Sequence, residues 1–335
     1  MRPGKLSPSD LQTSVFRYLG ATRPEVLVHA GLGEDCSVVQ FGDEVLVIST
    51  DPITGTATNI GRLAVIISCN DVAACGAEPI GLLATILAPV DCGQSDIELA
   101  MRQIDAEAKA QRVEVIGGHT EVTEAVRQMV ICSTVIGKAK KDSYVTSSGA
   151  RPGDSILITK AVGLEGTAIL AHDRADRLMS LLPGGVVERA KQFLDELSVV
   201  SEALAAVQGN VTAMHDITEG GLLGGLYELA FASNVGFEVD AGAIPIREET
   251  RLICNAAKID PLRLISSGSM IITTPEPEDI ISRIQAVGVS AAVIGRITSD
   301  RVGVIADGGN RQRVDPPDGD HLYVGLDNLE SNGIE

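Results

Sequence analysis

The sequence contains no tryptophan, and aromatic residues make up only 3% of it. A core with so few rings must be built from aliphatic side chains. The chain has neither a GxxxxGK[ST] motif nor a GxGxxG motif, which removes the P-loop and the Rossmann fingerprint as routes to nucleotide binding. Its six cysteines (36, 69, 75, 92, 132 and 254) include no CxxC pair. Zinc-ribbon and thioredoxin-type sites are therefore excluded, and the cysteines read as small reduced core residues of a cytoplasmic protein. The longest apolar runs, near Leu63–Cys69 and Ile80–Val90, fall short of the roughly 20 residues a membrane span needs. The opening "MRPGKLSPSDLQTSVFRYLG" lacks the apolar segment of a signal peptide. Positive charge is scarce too: 27 Lys and Arg against 45 Asp and Glu give a formal net charge of −18. That excess falls more heavily on residues 151–335 than on the first half. Such a surface repels nucleic acid and anionic lipid, so neither is an expected partner. A negatively charged ligand would need metal ions or backbone N–H groups to hold it.

Hydrophobic residues make up 44% of the chain, and 35 residues are glycine. This composition fits an α/β protein with tight turns, and 335 residues suit two domains. "EVLVIST" (44–50) reads as a strand. Residues 59–76 read as a helix, with Asn59 as N-cap, Gly76 as stop and Pro79 beyond. "GLLATILAPV" is the next strand and "SDIELAMRQIDAEAKAQ" an amphipathic helix; "VEVIGG" and "QMVICSTVIGKA" are further strands. The polar stretch "KKDSYVTSSGARPGD" (140–154) marks a boundary, giving expected domains of 1–150 and 151–335. The second half restarts as strand–loop–helix at "DSILITKAVGLEGTAILA". It continues with helices around 184–207, the strands "VTAMHD" and "GFEVD", and a final mixed portion. Adjacent strands flank some helices, so the expected sheets are mixed, with helices on one face, not doubly wound.

Asp71 stands out, because it lies in the middle of the apolar helix 59–76. Burying a carboxylate there costs several kcal/mol, roughly, unless a metal or a partner compensates. Asp35 in "GLGEDCSVV", Asp51 after "VLVIST" and Asp216 ending "AMHD" stand at strand ends. Such ends converge at a sheet edge, and an oxygen-only cluster suits magnesium. Asp is equally the residue type of turns and caps, although a cap does not occur mid-helix.

Three glycine-bearing turns fit phosphate. "VIGGHTE" (115–121) reads as strand-to-turn, with Gly117 and Gly118 clearing room for backbone approach. "HDITEGGLLGG" (215–225) opens a helix with Thr218, Gly220 and Gly221, and "AVGLEGT" (161–167) precedes another. His119 and His215 each sit beside one of these turns, as do Glu121, Glu165 and Glu219. Each His is equally suited to shuttle a proton or to bond local backbone. Lys5 in "PGKLSP" can reach a phosphate or stay solvated.

Taken in order, "GKL", "GEDCSVV", "STDPITG", "IGRLAVIISCNDVAACGAEP", "GGHTEVT", "VGLEGTAILA", "HDITEGGLLGGLYELA" and "SSGSMII" resemble the aminoimidazole-ribonucleotide (AIR) synthase superfamily. Its members include selenophosphate synthetase, thiamine-monophosphate kinase and the hydrogenase-maturation protein HypE. The resemblance spans nearly the whole chain and is nearest to the HypE-like branch. It implies an N-terminal domain that pairs across a homodimer into a β-barrel, and a C-terminal α/β domain. It also implies ATP with Mg2+ in a cleft between the two. Asp35, Asp51, Asp71 and Asp216 would then be metal ligands. Gly117, Gly118, Thr120, Thr218, Gly220, Gly221 and Lys5 would line the phosphates, and His119, Glu165 and His215 would be the acid/base candidates.

Three departures bear on the acceptor. HypE ends in a cysteine that receives a carbamoyl group, whereas no cysteine follows Cys254 here. HypE has Asp in "GDTK" where this chain has "GGHTE", and His where this chain has Glu165. The expected activity is ATP-dependent phosphoryl transfer to an amide-type or other small or protein-borne acceptor. The alternatives are a small-molecule kinase like thiamine-monophosphate kinase, or a nucleotide-binding maturation partner with little turnover.

Overall fold

The computed structural model describes residues 6, 8–54, 59–316 and 319–331. The chain divides into two units, one of Arg23–His29 with Asp35–Tyr144 and one of Met1–Thr22, Ala30–Glu34 and Val145–Glu335. Near the start, a helical turn α1 (Pro8–Asp10) runs into a π-helical stretch, Leu11–Val15.

The N-terminal unit is built on six strands: β1 (Val26–Val28), β2 (Ser37–Phe41), β3 (Glu44–Ile53), β4 (Glu78–Ala88), β5 (Glu114–Val122) and β6 (Val130–Lys140). Their order is β1-β2-β3-β6-β4-β5. Every pairing is antiparallel except β4 with β5, which is parallel. Helix α2 (Ile60–Ala74) packs on β3, β6 and β4, and α3 (Gln94–Gln111) packs on α2. Of the fifteen residues of α2, all but Arg62 are buried, because α2 is sandwiched between the sheet and α3. Alternation along β3 and β6 sends Val45, Val47, Ile131 and Val135 to the helix side. Leu46, Ile48 and Ile136, half-buried, occupy the other face with the exposed Leu83 of β4. The centre of that second face is apolar, with the Thr50 and Thr134 hydroxyls bonded to each other beside it.

Two local expectations are corrected. Asn59 precedes α2 in the left-handed region, at φ 58°, and its side chain makes no capping bond. An N-cap accepts from the first turn when its backbone is extended, and this backbone is not. The stretch 115–121 is not a strand-to-turn junction. It lies inside β5, with Gly117, Gly118, His119 and Thr120 paired to Leu83, Ala84, Thr85 and Ile86. Gly118 is needed there, because its φ is +148° and a Cβ would stand 2.0 Å from the Ala84 carbonyl oxygen.

The C-terminal unit holds seven strands: β7 (Ser155–Thr159), β8 (Ala213–Asp216), β9 (Gly236–Asp240), β10 (Met270–Thr274), β11 (Ala291–Thr298), β12 (Gly303–Asp307) and β13 (Asn310–Val314). Their order is β13-β12-β9-β11-β7-β10-β8, and only β9 with β12 is parallel. The mixed-sheet expectation therefore holds in both units. Helices α4 (Leu164–Asp173), α5 (Ala175–Leu181), α6 (Val186–Lys191), α7 (Val200–Ala206), α8 (Gly221–Ser233), α9 (Glu248–Ala257), α10 (Pro277–Ala286) and α11 (His321–Ser331) complete the unit. One core joins Leu222, Leu226 and Leu229 of α8 to Ile156, Phe237, Ile271 and Ile297 of the sheet. A second gathers Leu170, Leu178, Val187, Ile253, Leu322 and Leu329 between helices. The second is wholly aliphatic, and Phe237 is the aromatic side chain in the first.

Candidate functional site

In the N-terminal unit the end of β3 brings Ser49 and Asp51 to the side of the sheet that α2 covers. Asp71 of α2, only 6% exposed, accepts a hydrogen bond at Oδ2 from the Ser49 hydroxyl. The same hydroxyl lies 3.3 Å from Asp51 Oδ2. Asp51 is paired in the sheet with Ser133, whose hydroxyl contacts Ser68 one turn before Asp71. The charges of Asp71 and Asp35 both act on the Cys36 thiol, which burial and contact with Cys75 push well above the usual thiol range. Two of the four predicted carboxylates, Asp51 and Asp71, thus meet at Ser49.

The donor set is hard oxygen, two carboxylates on one hydroxyl, and this is what magnesium accepts before phosphate and water complete its shell. Among the described residues no group of three or more His, Cys, Asp or Glu forms a ready metal cage, and a magnesium ion of this kind needs none. Gly117, Gly118 and Thr120 lie on β5, the edge strand of the sheet. His119 is exposed there, with Nε2 3.5 Å from Glu121 Oε2. Lys5 lies outside the described residues.

In the C-terminal unit the remaining candidates cluster around the starts of two helices. Asp216, 1% exposed, ends β8, and Thr218, Gly220 and Gly221 lead into α8. Gly221 has φ +63°, and a Cβ there would stand 2.6 Å from the Leu262 carbonyl oxygen, so the turn admits only glycine. The Gly220 N–H donates to Asp320 Oδ2 at 2.7 Å. Asp320 Oδ1 also accepts from the N–H of Ile265 and of Leu322, at 3.2 and 2.7 Å. Burial still pushes the Asp320 carboxyl up to about 6, against the pull of those three N–H groups.

Glu165, in the first turn of α4, is 5% exposed. Burial pushes its carboxyl up to about 7, and the charges of Asp320 and Glu219 add to the effect while Ser267 opposes it. A carboxyl poised near neutrality suits proton transfer. His215, in contrast, is held on both sides within the core. Its Nδ1 is 3.1 Å from the Ser147 hydroxyl and its Nε2 is 3.3 Å from Glu228 Oε2.

Sequence reasoning missed Ser49, Ser147, Glu228, Ser267 and Asp320. Asp320 carried one readable signal, its position as a cap just before the amphipathic "HLYVGLDNL". The others are defined by partners distant in sequence.

Comparison with known proteins decides the family. Residues 33–139 match the AIR synthase related protein N-terminal domain model and residues 151–307 the matching C-terminal domain model. A Methanocaldococcus jannaschii protein named for hydrogenase expression and formation is 30% identical over 334 residues, covering 95% of this chain and 96% of that protein. The chain belongs to the AIR synthase related family. Within this family it is also similar to a thiamine-monophosphate kinase of Halobacterium salinarum, 33% identical over 82% of this chain and 91% of that one. A solved structure of hydrogenase maturation protein HypE in complex with ATP superposes with a TM-score of 0.71 at 25% identity. It covers 94% of this chain and 95% of that one. Among the described residues of this AIR synthase related protein, no helix is long and apolar enough to cross a membrane.

Proposed function

We propose that this protein is a cytoplasmic, ATP- and Mg2+-dependent enzyme that activates an amide-type or other small or protein-borne acceptor by phosphoryl transfer, as in HypE-like hydrogenase maturation. One observation carries the reading: Asp71, the one buried carboxylate of a mostly apolar helix, is turned onto the Ser49 hydroxyl beside Asp51. A fold with no use for a cation at that point would gain stability by replacing the carboxylate with an apolar residue. The similarity to HypE solved with ATP supports the choice of nucleotide.

In this reading Asp35, Asp51 and Asp71 are the magnesium candidates of the N-terminal unit and Asp216 that of the C-terminal unit. The phosphate candidates are Gly117, Gly118 and Thr120 in the first, Thr218, Gly220 and Gly221 in the second, and Lys5. When bound, magnesium–ATP supplies the phosphoryl group with its charge partly neutralised. Glu165 is the acid/base residue, since its carboxyl is poised near neutrality. His119 and His215 are the other acid/base candidates. Cys254 is no ready acceptor: it is 1% exposed within α9, and burial pushes its thiol up to about 12. The protein acts as a homodimer, joined through the apolar second face of the N-terminal sheet.

The test is Asp71→Asn, a nearly isosteric change that removes the charge. Magnesium-dependent ATP affinity measured by calorimetry should fall by more than about tenfold, with the circular dichroism spectrum unchanged. Unaltered affinity and magnesium dependence would sink the assignment. A second reading, a small-molecule kinase, is favoured by the similarity to thiamine-monophosphate kinase. ATP turnover with thiamine monophosphate but not with carbamoylated thiols would select it. Tight ATP binding with no turnover on any acceptor would select a maturation partner.

A further inference from the structure

The acidic group in the C-terminal unit contains two polar atoms that the fold itself does not use. Asp320 is accounted for structurally, since its oxygens receive three backbone N–H groups. Glu165 is not. Its Oε2 is buried and takes no hydrogen bond, and the fully buried Ser267 hydroxyl beside it makes none either. The two groups lie against each other, and Ser267, after burial the strongest influence on the Glu165 carboxyl, lowers it, yet Glu165 Oε2 and Ser267 Oγ are in hydrogen-bonding geometry with no group. Leaving such atoms unsatisfied costs about 1–3 kcal/mol each. A fold does not ordinarily keep two adjacent ones without a ligand to complete them.

The surroundings specify the ligand. Glu165 Oε2 can only accept when ionised, so it calls for a donor. The charges of Asp320 and Glu219 reach Glu165 and also reach Tyr323, so a positive donor gains more there than a neutral one. The residues on either side of Ser267 are tied down, which keeps it from turning away. Ser266 Oγ accepts from the Gly163 N–H at 2.7 Å, and the Gly268 carbonyl accepts from Lys160 Nζ at 3.0 Å. We propose that Glu165 and Ser267, flanked by Asp320 and Glu219, bind a primary ammonium group carried by the acceptor. One ammonium N–H meets Glu165 Oε2, a second meets Ser267 Oγ, and the flanking carboxylates hold the charge. This site rests on the proposed function only where it calls its ligand the acceptor.

The experiment is a ligand-observed NMR titration of the full chain with methylammonium, tetramethylammonium and acetamide. Methylammonium has both charge and N–H donors; the other two each lack one. Methylammonium should bind at least about tenfold more tightly than either. Glu165→Gln should weaken it by at least about tenfold and Ser267→Ala by about threefold. Equal binding of tetramethylammonium would reduce the site to a general cation attractor. Equal binding of acetamide would make it a neutral amide site, and no methylammonium binding would leave only water there; each result overturns the proposal. Magnesium–ATP affinity measured on the same samples separates the two readings. ATP binding without methylammonium binding refutes this pocket alone. Methylammonium binding without ATP binding refutes the proposed function and leaves the pocket standing.

Discussion

Replacing Glu165 by Gln should stabilise the protein, and chiefly above neutral pH. The Glu165 carboxyl is raised from its ordinary 4.5 to about 7, chiefly by burial. Between these two values the folded chain binds more protons at this group than the unfolded chain does. Stability from the protonated form is therefore complete below about pH 4.5 and is lost as pH rises through about 7. Above pH 8 the cost of holding the ionised group folded is about 3 kcal/mol. Gln keeps the shape and removes that cost. For a unit of this size the gain corresponds to a rise of roughly 6–12 °C in melting temperature. At pH 5, where Glu165 is still neutral in the folded chain, most of the difference should be gone. Asp320 titrates in both, and the Gln variant also loses the repulsion between Asp320 and Glu165. With no tryptophan to report unfolding, the assay is far-ultraviolet circular dichroism, with melts at pH 5 and pH 8.5. An equal difference at both pH values, or a less stable Gln variant at pH 8.5, would refute the reasoning.

Lys160 Nζ lies 2.6 Å from Glu202 Oε1 and donates to the Ser198 and Gly268 carbonyls. Lys160→Met strands a fully buried carboxylate and should cost about 3–5 kcal/mol, measured by urea denaturation, whereas Lys160→Met with Glu202→Leu should recover most of the loss. Leu83→Asp, placed on the exposed apolar face of the N-terminal sheet, should leave the fold intact and convert a dimer at micromolar concentration into a monomer by sedimentation. A wild-type chain that sediments as a monomer would remove the dimer from the proposal. Ser49→Ala removes the hydroxyl shared by Asp51 and Asp71. It should weaken magnesium-dependent ATP binding by about tenfold, read by calorimetry.

Elements with strong periodicity were readable from the chain. The "GFEVD" strand and the buried helix around Asp71 appear where pattern places them, because alternation and apolar continuity are local properties. The stretch "VIGGHTE" was misread for a physical reason. Two glycines ordinarily punctuate a turn, but here Gly118 lets β5 run close against the Ala84 carbonyl, and the strand continues past it. At the site, aspartates could be selected by type, and Asp71 by its improbable setting. Ser49 could not, since its meaning comes from Asp71, 22 residues away. Ser267 and Glu165 are farther apart still, and only the folded chain makes them neighbours.

Asp320 has a consequence for how the C-terminal unit is assembled. Its carboxylate closes backbone segments 55 and 100 residues upstream as well as the start of its own helix. Until α11 docks, the N–H groups of Gly220 and Ile265 have water as their partner, so the glycine turn ahead of α8 is set only when the end of the chain arrives. Formation of that turn is therefore a late, non-local event in folding. Amide exchange at Gly220 and Ile265 should follow the opening of α11, not that of the helix and sheet that carry them. A ribosome-bound chain that has emerged only to β13 would already hold the strands of this unit, yet its glycine turn would still be loose. In any chimaera made from this chain, α11 and the turn before α8 have to be exchanged as one piece.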